Sequence, residues 1–364
     1  MDFSHFAPYK DEEVPAAIAN VVKNELFSTI VRQLNPILDP KDVKNAFLKI
    51  STVDEFQHHI MLPLILHVLR STTDEFTISG LEQLSRDESY LFIANHRDIA
   101  LDAAILSIQL LRHSYKVPAV SFGDNLITNP YVKTLTRLNR MFPVFRGGTR
   151  REFYESSVLL SNYIIHVLED EKRNVWIAQR NGRTKDGDDR TEPGLLKMLS
   201  MAGEGDFVEH MERLRIVPLC ISYEYEPCAD SKAREINKIK QGAVYVKRHG
   251  EDILHIWEGI SQQKGMVHLA VCKPITRGEL EQCAASADTE ADKNAPYQAL
   301  AHLIDRRIWS EYRLSGMNRL AYEIVTEKAS KDIIYTAKQL FRNDTLLKIY
   351  AQPVINQNLA LNNP

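Results

Sequence analysis

Apolar residues recur at helical spacing through Ala16–Leu38, Val43–Ile50 and Val53–Leu69, so the first 75 residues read as a helical cap. At Phe76–Ser79 the pattern changes. Short apolar runs at Tyr90–Ala94, Val117–Phe122, Phe142–Phe145, Val175–Ala178, Ile216–Tyr223 and Val267–Val271 read as buried strands. Between them lie longer periodic segments, Ile99–Leu111, Pro130–Arg140 and Arg151–Glu171, and a further helix over Gly194–Met201 whose first turn accommodates Pro193. Strands separated by helices of this length predict an α/β fold, a mostly parallel sheet flanked by helices on both faces. The expected organisation is a helical N-terminal cap (1–75), an α/β domain (76–275) and a helical C-terminal extension (276–364), with Asn181–Glu192 and Ala284–Asn294 as polar surface loops.

Composition narrows the class. A chain of 364 residues with 44% hydrophobic and 26% charged residues buries a sizeable core without staples. The four cysteines, at positions 220, 228, 272 and 283, lack CxxC or zinc-like spacing, which predicts reduced thiols in a reducing compartment, with Cys220 and Cys272 in strands. A net charge of -3 gives no global pull toward nucleic acid, so no nucleic-acid partner is expected and any anion site must be local. The start of the chain does not read as a secretory signal, and the longest apolar run, near Ile60–Leu69, contains Pro63 and His67 and is too short to span a bilayer.

The strongest chemical signal is Asn95-His96-Arg97-Asp98-Ile99-Ala100-Leu101-Asp102. A buried strand delivers His96 to its C-terminal end, the edge at which open α/β sheets hold their ligands. A helix follows at once, so Asp98 and Asp102 lie within about a turn of the imidazole. One carboxylate can accept from Nδ1–H while Nε2 takes a proton from a hydroxyl. On the local pattern alone, a strand-end histidine beside a capping Asp98 is an equally valid reading. His96-Arg97-Asp98 also spells a kinase triplet, but position 103 is Ala where that motif needs Asn, and a glycine-rich loop is missing upstream.

Three further segments follow in order. Leu138–Arg146 is a strand ending in a basic residue, Arg146. Val175–Gly187 is a strand followed by Arg180-Asn181-Gly182-Arg183-Thr184-Lys185, where Gly182 permits close backbone approach and the cations supply anion-binding charge. Ile216–Glu224 is an apolar strand containing Val217-Pro218. Together with the histidine segment, these resemble the four motifs of the glycerolipid acyltransferases, the family of lysophosphatidic acid and glycerol-3-phosphate acyltransferases, in what looks like a bacterial branch. This chain departs from the family pattern at two places. Five residues separate His96 from Asp102, one more than in the family, so either Asp102 keeps the orienting role across a longer turn or Asp98 takes it. Asp102 is favoured because an N-cap aspartate is committed to backbone N–H groups. Asn181 stands where the family carries Glu, and Arg183-Thr184 reverses the family's Thr-Arg.

The resemblance implies O-acylation of a lysophospholipid such as lysophosphatidic acid from acyl-CoA or acyl-carrier protein, with no cofactor beyond that thioester co-substrate. His96 would be the base, Asp102 or Asp98 its orienter, and Arg146, Arg183, Arg180 or Lys185 the phosphate ligands, with Asn181 and Gly182 at the glycerol unit. Arg97, directly after the histidine, tilts the acceptor toward glycerol 3-phosphate. A lipid-binding or regulatory protein on the same scaffold is the reading from another class, motivated by Asn181. The expected partners are a lipid substrate, an acyl thioester donor and the membrane surface. The chain is expected to be cytoplasmic and peripheral on the cytosolic face of the membrane, held there by the N-terminal helices, with Ile60–Leu69 and Ile99–Leu111 as candidates for an acyl groove. Asp186-Gly187-Asp188-Asp189 lacks a complete calcium loop and reads as solvated, and His58-His59 as surface or packing residues.

Overall fold

The structure is a computed structural model and describes residues 2–35, 37–127, 129–145, 147–202, 205–248, 250–286, 293–330 and 340–362. Most of the predicted loop Ala284–Asn294 lies outside these residues. Seven strands form one sheet, β1 (Glu75–Ser79), β2 (Leu91–Ala94), β3 (Ala119–Gly123), β4 (Met141–Val144), β5 (Val175–Ala178), β6 (Ile216–Tyr223) and β7 (Met266–Val271), in the order β1-β7-β6-β2-β5-β3-β4. β6 runs antiparallel to β7, while β1 with β7, β2 with β6, and β3 with both β4 and β5 pair in parallel, so the sheet is mostly parallel, as the alternating pattern requires. Cys272 falls just beyond β7 rather than within it, and all four cysteines are free and buried.

The chain divides into two compact units, Met1–Leu69 with Ala103–Ile177, and Arg70–Asp102 with Ala178–Pro364. In the first unit the run predicted over Ala16–Leu38 breaks into α1 (Val14–Lys23) and α2 (Leu26–Leu34), followed by α3 (Pro40–Phe47) and α4 (Val53–Phe56). Their apolar faces close on one another: Val14, Ile18, Val21, Phe27, Val31, Val53 and Phe56 pack into a single core with Leu138, the last residue of α7 (Pro130–Leu138). A π-turn over Gln57–Met61 joins α4 to α5 (Leu62–Thr72). It directly precedes Pro63, whose missing N–H breaks the regular ladder, and a wider turn absorbs such an interruption. The helix α6 (Leu101–Arg112), expected as a possible acyl-groove lining, is core along most of its length, with Leu101, Ile105, Leu106, Ile108 and Leu110 buried. The long α8 (Arg150–Glu169) starts from a Thr149–Glu152 capping box.

In the second unit β1 pairs in parallel with β7, and β2 in parallel with β6. Around these strands stand α9 (Pro193–Leu199), α10 (Phe207–Arg213), α11 (Ala229–Lys240), α12 (Glu251–Ser261), α13 (Arg277–Ala284), α14 (Ala295–Ser310), α15 (Gly316–Val325) and α16 (Asp344–Asn362). Gly80, with φ of 79°, sits where a Cβ would lie 2.0 Å from the Val271 carbonyl oxygen, so only glycine lets the end of β1 approach the end of β7. On α14, Asp305 is buried and accepts the Thr191 N–H at 2.7 Å, which anchors the loop that precedes α9.

Burial pushes the Asp305 carboxyl up to about 7, against the lowering effect of the Thr191 hydrogen bonds. The folded protein therefore holds a proton that the unfolded chain releases at about pH 4, and stability falls as pH rises from about 4 to 7, then levels off. Asp305→Asn keeps the acceptor for Thr191 and removes the titration. Its urea-unfolding free energy is expected to lose that downward slope, up to about 1.4 kcal/mol per pH unit for one proton, and a slope equal to wild type would contradict the assignment.

Candidate active site

Every residue of β2 is buried, so its four apolar side chains fix the strand in the core and set down Asn95–Asp98 at its C-terminal end. Asn95 continues the strand by side chain: Ile221 N–H donates to its Oδ1 at 2.7 Å and its Nδ2 donates to Ile221 O at 3.0 Å. His96 follows. Its Nδ1 lies 2.8 Å from Asp102 Oδ2, and the same oxygen accepts the backbone N–H groups of Arg97 at 2.6 Å and Asp98 at 2.9 Å. The other oxygen, Oδ1, accepts the Tyr223 hydroxyl at 2.8 Å. A carboxylate accepts, so a proton on Nδ1 completes this hydrogen bond.

Asp98 sits elsewhere. Its Oδ1 accepts Ala100 N–H at 2.9 Å and Leu101 N–H at 2.8 Å, the bonds of a helix cap. Burial, reinforced by the neighbouring Asp102 charge, pushes its pKa up. Behind it α12 presents Gly259, where a Cβ would lie 1.9 Å from Asp98 Oδ2. Asp102 is thus the carboxylate beside the imidazole, and Asp98 shapes the turn.

Arg97, expected from the sequence to face the substrate, is turned inward and 4% exposed. Its Nε and Nη2 donate to Asp189 Oδ2 at 3.0 and 2.6 Å, and Nη1 to Glu226 Oε2 at 2.9 Å. Burial opposes its charge, but Asp189 and Glu226 more than offset that, holding the guanidinium ionised. Lys232 on α11 completes the cluster, donating to Glu226 Oε1 at 2.5 Å and to the Arg97 carbonyl at 2.8 Å. Two cations thus face two carboxylates in the interior, and Asp189 has further donors: Tyr312 and Asn95 reach its Oδ2 at 2.7 and 2.9 Å. The solvated reading of Asp186–Asp189 fails at Asp189, which is fully buried. Its place as counter-ion to Arg97 is the reason, since a buried guanidinium needs a carboxylate within hydrogen-bond reach.

The loop after β5 is tied to the histidine segment by Thr184 N–H, which donates to the His96 carbonyl at 2.8 Å. Gly182 has φ of 78° with open space where a Cβ would be, and Asn181 is exposed. The Asn181 N–H donates to Glu192 Oε2 at 3.3 Å, so a carboxylate stands beside the position where the family carries one. Arg183 Nη2 lies 2.9 Å from His255 Nδ1 on α12. Burial, and then the Arg183 charge, lower the His255 pKa, which keeps the ring neutral and able to accept from the guanidinium. Lys185 is paired with Glu235, and Arg180 Nη1 donates to Asp188 O at 3.4 Å. Arg146 lies outside the described residues. The second unit therefore brings together His96, Asp102, Asp98 and the 180–185 loop, while Arg97 belongs to the interior and Lys185 to an ion pair. Sequence reasoning missed Tyr223, Asp189, Glu226, Lys232 and His255. Of these, Tyr223 ends the Val-Pro strand, a position that could have been read as facing the same sheet edge as His96. His58 and His59 are not part of a metal cluster: among the described residues no group of three or more His, Cys, Asp or Glu is placed to hold a metal ion.

The site thus sets a histidine–carboxylate pair at the C-terminal end of β2, beside a glycine-containing basic loop. Residues 75–222, which include this pair and this loop, match the family model described as Acyltransferase. Over these residues the chain is similar to acyltransferases. None of the curated proteins matches the sequence. Among solved structures, the chain is similar to the 1-acyl-sn-glycerophosphate (LPA) acyltransferase PlsC from Thermotoga maritima, with 12% identity and a TM-score of 0.35 over 80% of this chain and 93% of that one. Among the described residues no helix is long and apolar enough to cross a membrane.

Replacing Arg97 by Ala would leave Asp189 and Glu226 as buried charges short of a partner. Such a loss costs about 3–5 kcal/mol, and chemical denaturation of Arg97→Ala is expected to show a destabilisation of that size. A change within about 0.5 kcal/mol of wild type would show that the cluster is not needed for stability.

Proposed function

We propose that this enzyme transfers an acyl chain from acyl-CoA or acyl-carrier protein to the free hydroxyl of a lysophospholipid, lysophosphatidic acid foremost, working peripherally on the cytosolic face of a membrane. The observation that carries the reading is the 2.8 Å contact between His96 Nδ1 and Asp102, on a carboxylate also held by two backbone N–H groups and Tyr223. A carboxylate so restrained cannot swing away, so it fixes the ring orientation and stabilises the imidazolium that forms.

In this reaction His96 Nε2 takes the proton from the acceptor hydroxyl as its oxygen attacks the thioester carbonyl carbon. The new C–O bond forms, the C–S bond breaks, and the imidazolium returns the proton to the leaving sulfur. The thioester is already activated, so positioning and a base suffice. Arg183, oriented by His255 and tied through Thr184 to the His96 backbone, is the phosphate ligand best supported among the described residues. Its planar fork suits a phosphate. Arg180 stands beside it, and Asn181 and Gly182 offer a hydrogen-bonding side chain and an open backbone to the glycerol unit. Arg97, which had tilted the acceptor toward glycerol 3-phosphate, is occupied by Asp189 and Glu226 and lends that smaller acceptor no support.

General-base assistance is worth about 10²–10⁴ in rate, so His96→Ala is expected to lower acyl transfer to lysophosphatidic acid by that factor, followed as thiol release. Turnover equal to wild type would refute the base assignment. A regulatory, non-catalytic reading draws on the exposed Asn181. Asn181→Glu separates the two: measurable wild-type turnover, altered in rate by the substitution, fits an enzyme. Turnover only in the Glu variant would instead support the regulatory reading.

A further inference from the structure

Helix α12 is amphipathic in the wrong sense for a helix that merely covers a core. Successive residues turn by about 100°, so Ile253, Leu254 and Trp257 share one side and His255 and Gly259 the other. The inward side is the polar and close-packed one: His255 meets Arg183, and Gly259 lies against Asp98. On the outward side Ile253 is exposed and Leu254 is 67% exposed. The segment entering this helix has the same character, with Ile239 exposed, Val244 89% exposed and Val246 77% exposed.

Charge accompanies these apolar residues. Lys238, Lys240, Lys247 and Arg248 are exposed, and no Asp or Glu occurs between Ile236 and Gly250. Two acids follow at the start of α12, and both are engaged within the segment. Asp252 pairs with Lys247 at 2.6 Å, and Glu251 accepts the Tyr245 hydroxyl at 2.5 Å and the Arg248 N–H at 3.0 Å. Lys238 lies 5.4 Å from the centre of the Tyr245 ring. Four cations less two acids leave the face with a surplus of two positive charges.

We infer that residues 238–248 and 250–257 form the docking face by which this enzyme seats on an anionic phospholipid bilayer, with Val244, Val246, Ile253 and Leu254 entering the interface and the lysines and Arg248 meeting the headgroups. Exposed apolar side chains interspersed with cations of one sign fit the boundary between acyl chains and anionic headgroups. The inference rests on the lysophospholipid reading for its purpose: the helix that meets the bilayer holds, through His255, the arginine assigned to the acceptor phosphate. It places docking in the second unit and not on the N-terminal helices.

The test uses the full chain and two double variants, Val246→Glu/Leu254→Glu and Lys240→Glu/Arg248→Glu. Sedimentation with phosphatidylcholine vesicles, with and without phosphatidylglycerol, reads docking. Turnover of a short-chain, fully dissolved lysophosphatidic acid reads the folded active site. Wild type is expected to bind the anionic vesicles, less well as salt rises. Both variants are expected to bind at least about tenfold more weakly, with unchanged turnover of the dissolved acceptor and reduced turnover of a vesicle-borne one. Wild-type vesicle binding by both variants, or wild-type binding that ignores phosphatidylglycerol, would overturn the docking face. So would a shift from dimer to monomer in sedimentation velocity with vesicle binding intact, since the face would then join two copies of the chain. Absence of wild-type turnover with the dissolved acceptor counts against the reaction proposed above, while the vesicle data still decide the docking face.

Discussion

A guanidinium removed from water must be neutralised where it stands, and the second unit is built around meeting that demand for Arg97. Asp189 and Glu226 neutralise it, Lys232 balances the additional carboxylate, and Tyr312 and Asn95 donate to the same Asp189 oxygen as Arg97. These partners come from the loop before α9, the end of β6, α11 and the chain beyond α14, so one side chain gathers distant parts of the sequence. Exchanging such a cluster for apolar residues can be neutral in stability, whereas removing one member is not, so its value lies in the arrangement it imposes.

That arrangement is the conformation of the four residues after β2. Arg97 is held at its guanidinium by carboxylates, at its carbonyl by Lys232 and at its N–H by Asp102. Asn95 and His96, immediately before it, are held through Ile221 and Thr184. A histidine on a free loop would sample many orientations. Here the flanking backbone is committed at each step, and the imidazole meets Asp102 as a consequence. The tight Gly259–Asp98 approach brings α12 against the same turn, which links the outer, exposed side of that helix to the residues that would hold the acceptor.

Legibility in the sequence followed range. The strands announced themselves as short apolar runs because a strand in a parallel sheet is buried on both faces, and no strand boundary shifted by more than about two residues. Asp98 as cap was readable because capping is settled within one helical turn. The break within Ala16–Leu38 and the π-turn before Pro63 were not, since periodicity continues across an interruption that packing decides. Arg97 and Asp189 were misjudged for a different reason: a charged residue in a polar stretch looks solvated unless its partner, here 92 positions away, is known.

By itself the sequence determined the alternation of strand and helix, the delivery of a histidine to a sheet edge and a glycine-containing basic loop further along, because hydrophobic periodicity and local turn chemistry act over neighbouring residues. Only the tertiary structure decided that Tyr223 shares the carboxylate beside His96, that Arg97 faces inward and that α12 turns its apolar side outward. Those choices depend on hydrogen bonds and charge pairs between residues tens to more than a hundred positions apart, and no local pattern carries them.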